Sequence, residues 1–217
     1  MNHFELAVFD LDGTLADTAL DMSAAMGRIT EKYGKSENLY ASVKGNLGYG
    51  AQHLIEKVYE SIGLSKEKAL EDLPEYKREY ALHCDEKTRL YPGVEKALVL
   101  LKQRKVTLVL ATMKPQSAIQ KVLDALHIRE YFSKIYSYET MLRPKPDPWC
   151  IEESLAEFHA DRDKTVIIGD SLVDINTGKN ARCHTIAVLG GYFDQTAMRE
   201  SGADHVITEM SEIINYF

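Results

Sequence analysis

The chain has 217 residues, of which 45% are apolar and 27% are charged, proportions that are ordinary for a folded globular protein and unlike those of a disordered chain. Its formal net charge of −7, from 26 basic and 33 acidic residues, argues against a nucleic-acid-binding protein, because such binding depends on clustered lysine and arginine. The three cysteines are far apart and form no CxxC pair, and no apolar run is long enough to span a membrane, so we expect reduced thiols, no membrane association and a cytoplasmic location.

The first predicted strand ends in two aspartates. The apolar run Leu6–Phe9 leads directly into Asp10-Leu11-Asp12-Gly13-Thr14-Leu15. Because side chains alternate along a strand, Asp10 and Asp12 should point the same way. Two carboxylates aimed at one point repel each other, and a divalent cation would let at least one remain ionised and nucleophilic. An acidic turn explains the segment equally well when it is taken alone, since Asp-Gly is a common turn dipeptide.

A helical segment is predicted to follow this strand. Between about residues 18 and 91 the apolar residues recur with helical spacing, and no strand is predicted. The periodicity is clearest in Ala19–Tyr33, Gln52–Ser61 and Lys66–Cys84. Pro92-Gly93 is a plausible point of return to the first unit. We therefore expect a core of residues 1–16 and 92–217 and a helical domain of residues 17–91.

Three glycines in this helical domain precede a helix predicted to begin around Ala51. They are Gly45, Gly48 and Gly50. Exposed backbone N–H groups at this point could meet an anionic group of a substrate. A flexible loop between two helices explains the glycines equally well.

Four further apolar runs, Val106–Ala111, Lys134–Ser137, Thr165–Ile168 and Thr185–Val188, are typical of strands. Helix-length stretches separate most of them, which predicts a parallel sheet in an α/β fold. Polar residues follow three of these runs: Thr112 the first, Lys145 the second, and Asp170 with Asp174 the third. Ligands bind beyond the carboxyl ends of the strands in an open parallel sheet, so these residues should converge with the first aspartates.

Each of these polar residues also has a purely structural interpretation. Thr112 could cap the next helix, and Lys145 could be a solvated charge held among prolines. Asp170 and Asp174 could be an N-cap and a first-turn acid. Taken together, however, they supply a nucleophile, a second carboxylate, a hydroxyl donor, a fixed cation and acids for a metal, which is the set that phosphoryl transfer requires.

In order, these segments resemble the four motifs of the haloacid dehalogenase (HAD) superfamily. The motifs are Asp10-Leu11-Asp12-Gly13-Thr14-Leu15, Thr112, Lys145 with Pro146, and Gly169-Asp170-Ser171-x-x-Asp174. The resemblance spans essentially the whole chain and implies a three-layer, Rossmann-like α/β core with a helical cap domain inserted after the first strand. Within the superfamily the chain is most similar to the phosphoglycolate phosphatase-like branch, through Ala111-Thr112-x-Lys114-Pro115, Arg143-Pro144-Lys145-Pro146 and the glycine-rich segment 45–51.

The resemblance implies a role for each catalytic residue. Asp10 would attack phosphorus and form an aspartyl-phosphate. Asp12 would protonate the departing oxygen and then deprotonate the attacking water. Thr112 and Lys145 would hold the phosphoryl oxygens.

The resemblance also implies Mg²⁺, which suits hard carboxylate and phosphate oxygens. Asp10 and Asp170 would ligate it directly, together with the backbone carbonyl of Asp12. Asp174 would act through a water molecule or by supporting the ligands.

The implied activity is a magnesium-dependent phosphatase acting on a small phosphorylated metabolite, with phosphoglycolate as the leading substrate. The alternatives are a sugar-phosphate mutase of the same superfamily, a pyrophosphatase, and a binding protein for phosphorylated ligands without turnover. A phosphonoacetaldehyde hydrolase would use a cap lysine as nucleophile, for which Lys44 is the candidate, although its setting before Gly45 matches poorly. The oligomeric state stays open.

Overall fold

The protein is described by a computed structural model that covers residues 4–217, so residues 1–3 of the predicted core lie outside the described part. Its centre is a six-stranded sheet in which all neighbouring strands are parallel, in the order β5-β4-β1-β6-β7-β8. The strands are β1 (Leu6–Phe9), β4 (Thr107–Ala111), β5 (Lys134–Tyr136), β6 (Thr165–Gly169), β7 (His184–Val188) and β8 (His205–Ile207). The predicted α/β class is confirmed, and β8 is a strand that the sequence analysis did not predict.

Helices cover both faces of this sheet. The side chains of β1 alternate between the two faces, and each face is apolar and packs in its own cluster. Ala7 and Phe9 enter a cluster with residues of α5 and α6, whereas Leu6 and Val8 enter one with residues of α7. Strands buried on both faces read as continuous apolar runs, which is the pattern that made them recognisable in the sequence. The helices that connect these strands are α5 (Val94–Gln103), α6 (Gln116–Ala125), α7 (Trp149–Phe158), α8 (Leu172–Ala181) and α9 (Gln195–Arg199).

The remaining helices lie between two very short strands, β2 (Ala16–Asp17) and β3 (Arg89–Leu90). These strands pair antiparallel, with Ala16 opposite Leu90, and form a two-stranded ribbon. We call residues 18–88 the helical segment; it contains α1 (Ala19–Thr30), α2 (Tyr40–Lys44), α3 (Ala51–Ser61) and α4 (Lys66–His83). The ribbon lies at residues 16–17 and 89–90; the division into a core and a helical domain of residues 17–91 stays a prediction. Among residues 4–217, no helix is long and apolar enough to cross a membrane.

Candidate active site

Asp10 directly follows β1, at the carboxyl edge of the sheet. Its backbone N–H donates to the Ile168 carbonyl at 3.0 Å, so strand pairing with β6 continues to this residue and fixes its position. Its side chain is buried and accepts a hydrogen bond from Lys145 Nζ at 2.8 Å. Burial, which is the largest effect, raises the pKa of the Asp10 carboxyl well above its ordinary value despite the adjacent lysine.

Asp170 follows β6, the neighbouring strand, and is held tightly. Its Oδ1 accepts from the Thr14 hydroxyl at 3.0 Å, and its Oδ2 accepts from the Tyr192 N–H at 2.7 Å. Two glycines make room for it, because a Cβ added at Gly13 or at Gly191 would lie 2.2 Å from Oδ2. Burial, reinforced by the neighbouring Asp174, raises the pKa of Asp170 to about 7.

Asp174 lies in the first turn of α8 and has two functions. The Ser171 side chain accepts from the Asp174 N–H at 3.3 Å and Asp174 Oδ2 accepts from the Ser171 N–H at 3.2 Å, which forms a capping box. The same Oδ2 also accepts from the Ser171 hydroxyl at 2.5 Å. Its Oδ1 accepts from Lys145 Nζ at 2.6 Å. Of the structural interpretation from the sequence, the first-turn acid is correct for Asp174, whereas the N-cap is Ser171 and not Asp170. The same Asp174 carboxylate also faces the other acids.

Lys145 bridges two of these carboxylates with a side chain that is 1% exposed. Burial opposes its charge, but Asp10 and Asp174 together raise its pKa above the ordinary lysine value. The lysine is therefore a fixed, permanently charged group and not the solvated surface charge that the surrounding prolines also allowed.

The three buried carboxylates fit a hard divalent cation. One oxygen from each of Asp10, Asp170 and Asp174 lies within 4.8 Å of the other two. The backbone carbonyl of Asp12 accepts no hydrogen bond from any of residues 4–217, so it is available as a further oxygen ligand. An all-oxygen donor set of this kind suits Mg²⁺, which needs only one or two carboxylates and keeps several waters.

The Asp12 side chain points to a different set of partners. Its Oδ1 accepts from the Thr18 hydroxyl at 2.5 Å and lies 2.8 Å from Lys114 Nζ, and its Oδ2 is 3.4 Å from the Thr112 hydroxyl. Thr18 is the residue before α1, so the helical segment contacts this carboxylate directly. Any contribution of Asp12 to a metal site would therefore come from its carbonyl and not from its side chain.

Lys114 is the site residue whose part the sequence analysis missed, since it used this lysine only as a mark of resemblance. Its side chain is fully buried, and its ammonium group donates to the hydroxyl of Tyr80 on α4. It also lies 4.7 Å from the centre of the Tyr80 ring. The signal in the sequence was a lysine two positions after Thr112, but its partner in the helical segment is 34 residues away and could not be identified without the fold.

Two cavities lie between the helical segment and the sheet, and both are lined by Asp10 and Asp12. The larger, of about 420 Å³, contains Lys145 and Asp170 and is bordered by Lys44. The smaller, of about 40 Å³, is lined by Thr112, Lys114 and mostly apolar side chains of the helical segment; these include Met22, Leu47, Leu54 and Tyr76. Of the predicted substrate loop, Gly45 borders the larger cavity, Gly50 the smaller, and Gly48 both.

Comparison with known proteins identifies relatives over nearly the whole length. A family model described as haloacid dehalogenase-like hydrolase matches residues 7–188. A phosphoglycolate phosphatase of Agrobacterium fabrum is 30% identical over 96% of this chain and 90% of its own length. A phosphoglycolate phosphatase of Aquifex aeolicus is 31% identical over 85% of this chain and 84% of its own length. A crystal structure described as a predicted phosphoglycolate phosphatase from Haemophilus somnus has a TM-score of 0.91 at 23% identity, covering 99% of this chain and 98% of that chain, and shares the fold.

Proposed function

This chain belongs to the haloacid dehalogenase-like hydrolase family, and we propose that it is a magnesium-dependent phosphatase that hydrolyses phosphoglycolate, or a phosphate monoester of similar size, through an aspartyl-phosphate. The proposal depends chiefly on the position of Lys145, whose ammonium group lies between Asp10 at 2.8 Å and Asp174 at 2.6 Å. This places a fixed cation beside the nucleophile, where the charge of the transferring phosphoryl group must be offset.

Asp10 is the nucleophile in this proposal. A carboxylate oxygen attacks phosphorus, the bond from phosphorus to the ester oxygen breaks, and an aspartyl-phosphate is left on the enzyme. Lys145 orients the carboxylate through Oδ1 and contacts the phosphoryl oxygens, which the Thr112 hydroxyl also approaches. Water then attacks phosphorus, and the acyl phosphate bond breaks to release inorganic phosphate.

Asp12 transfers the proton in both steps. It gives a proton to the departing alcohol oxygen, and in the second step it takes one from the attacking water. Thr18 and Lys114 hold its Oδ1, at 2.5 and 2.8 Å, and thereby fix the orientation of the carboxyl group beside Asp10. Because Thr18 belongs to the helical segment, the acid is fully oriented only when that segment is in the position described here.

Asp10, Asp170 and the backbone carbonyl of Asp12 would hold the metal. Asp174 would act on it through a water molecule or by supporting these ligands. When bound, Mg²⁺ would offset the charge of the phosphoryl oxygens and of the carboxylates. The tight packing of Asp170 between Gly13 and Gly191 keeps this carboxylate in place before the ion arrives.

The helical segment acts as a cap in this proposal and limits the leaving group. The cavity of about 40 Å³ beyond Asp12 has room for about three water molecules, which corresponds to a leaving group of a few non-hydrogen atoms. The volume of this cavity favours a two-carbon acid, whereas a nucleoside or hexose would have to extend into the cavity of about 420 Å³. The cap would also exclude bulk water during transfer.

The first experiment measures phosphate release from phosphoglycolate, sugar phosphates, nucleotides and pyrophosphate, with Mg²⁺ and with EDTA. We expect magnesium-dependent release that is fastest with phosphoglycolate. Asp10→Asn should abolish it, and Asp163→Asn, a change at an exposed aspartate outside the site, should not. An isomerised sugar phosphate formed without free phosphate would indicate a mutase, and full activity of Asp10→Asn would overturn the assignment of the nucleophile.

A further inference from the structure

We infer that Lys114 selects the substrate by binding a carboxylate on its leaving group. This inference rests on the proposed function and deepens it, because it assigns the feature of the substrate that is recognised and the residue that recognises it. It concerns the small cavity, which adjoins the phosphoryl site through Asp12.

The first observation is the charge of this cavity. Apart from the two aspartates at its phosphoryl end, its lining is mostly apolar, and Lys114 is the fully buried cation on it. A buried ammonium group in apolar surroundings is stabilised by anions, and a carboxylate that enters such a cavity needs a cation. A neutral oxygen could accept a hydrogen bond from this ammonium group, but only an anion would also gain from its charge.

The second observation is the hydrogen bonding of the ammonium group. A lysine has three N–H donors. Within residues 4–217, Lys114 Nζ has two acceptors, namely Asp12 Oδ1 and the Tyr80 hydroxyl. One donor has no acceptor among these residues, and Lys114 lines the small cavity. The other two donors hold the ammonium group in a fixed position. A donor held in advance loses little entropy when a ligand binds.

The third observation is distance along the substrate. Lys114 contacts the same carboxyl group that protonates the ester oxygen in the proposed reaction. In phosphoglycolate the carboxylate carbon is two bonds from that oxygen. A group that lies beside Asp12 therefore lies beside the position of such a carboxylate.

Lys77 is the other lysine on this cavity, and it is partly exposed. It has no hydrogen-bond or ion-pair partner within residues 4–217, so nothing holds its charge in one place. A solvated lysine recognises an anion less selectively than a fixed one, and we therefore assign the recognition to Lys114.

The test compares two substrates that differ only in this charge. Phosphoglycolate carries the carboxylate, and phosphoglycolamide is its uncharged isostere. For the wild type with Mg²⁺ we expect kcat/KM for phosphoglycolate to exceed that for the amide by about 10- to 100-fold, the value of one charged hydrogen bond. Lys114→Met should bring this ratio close to one, mainly through KM for phosphoglycolate. Tyr80→Phe should lower the ratio less.

Lys121→Met is the matched control. Lys121 also joins the sheet side of the molecule to the end of the helical segment, through Asp85 at 3.0 Å, but it is exposed and lies outside both cavities. It should keep the wild-type ratio. Circular dichroism and thermal unfolding of each variant check that it is folded.

The outcomes separate this inference from the proposed function. Equal losses on both substrates in Lys114→Met would mean that the lysine only orients Asp12, and would overturn the inference. A selective loss in Lys77→Met instead would also overturn it, as would a wild type that does not discriminate, even if Lys114→Met failed to fold. Absence of phosphate release from every ester would overturn the proposed function itself.

Discussion

Replacing Asp170 with asparagine should stabilise the metal-free protein at pH 8. Asp170 is 4% exposed and lies beside Asp174, and the nearest cation, Lys145, contacts the other two carboxylates of the cluster. Ionising it without a metal therefore costs free energy, which a neutral side chain of the same shape would avoid.

The size of the effect follows from the pKa. A pKa raised from 3.8 to about 7 corresponds to a penalty of about 4 kcal/mol at pH 8. Asparagine can keep both hydrogen bonds, because its oxygen accepts from the Tyr192 N–H and its amide can donate to the Thr14 hydroxyl oxygen. We expect a gain of about 2–4 kcal/mol in the free energy of unfolding, since structural relaxation lowers the full penalty.

The pH dependence has a definite sign. Because the pKa of Asp170 is higher in the folded than in the unfolded protein, the folded state binds more protons between pH 3.8 and about 7. The metal-free wild type therefore loses stability as the pH rises through this window. The variant lacks this contribution, so the two proteins should be close in stability near pH 4 and should diverge up to pH 8.

Urea unfolding in EDTA at several pH values measures this difference, and Asp163→Asn, at an exposed position, is the control. The same series with Mg²⁺ should reverse the order, because an ion that binds only the folded wild type stabilises it. A variant no more stable than the wild type at pH 8 in EDTA would refute the reasoning. Equal stabilisation of both proteins by Mg²⁺ would remove Asp170 from the metal site.

Two further predictions concern the same region. Gly13 has φ +90°, and a Cβ added there would lie 2.2 Å from Asp170 Oδ2. Gly13→Ala should therefore lower the thermal midpoint of unfolding and weaken Mg²⁺ binding measured by calorimetry. The control is Gly63→Ala, at φ +74° with open space around it, which should show only the backbone cost of about 1–2 kcal/mol. Asp12→Asn should release one equivalent of acetate from acetyl phosphate in a rapid burst and then turn over slowly, because this small leaving group needs no proton but hydrolysis of the intermediate still needs the base. Absence of a burst, with slow release from the first turnover, would contradict the role of Asp12 in the second step.

The sequence analysis identified the strands and the family, because short stretches of sequence are enough to recognise both. The strands of the sheet interior were recognised because they are continuous apolar runs, and membership of the haloacid dehalogenase-like family, inferred from four short motifs, is confirmed by the matching family model. The β2–β3 ribbon was missed because two residues are too few for a periodicity to be seen. Strand β8 was missed as well; its only apolar residues are Val206 and Ile207, with Asp204 and Thr208 on either side of the strand.

The candidate site was predictable to a similar degree. Asp10 and Asp170 were expected to converge because both follow strands of a predicted parallel sheet, and in the structure their carboxylates lie close together. The contacts of Thr18 and Lys114 with Asp12 could not be predicted, because they depend on how the helical segment rests on the sheet. The roles of all these residues stay predictions until the experiments above are done.

The ribbon between β2 and β3 makes the helical segment separable from the rest of the chain. Ala16 lies opposite Leu90 and Asp17 opposite Arg89, so the segment leaves and rejoins the sheet-bearing part at adjacent backbone positions. A tight two-residue turn could join these positions in place of about seventy residues without moving a strand of the large sheet. Segments of different length and shape could therefore be exchanged at this one point while the strands that carry Asp10 and Asp170 stay in place.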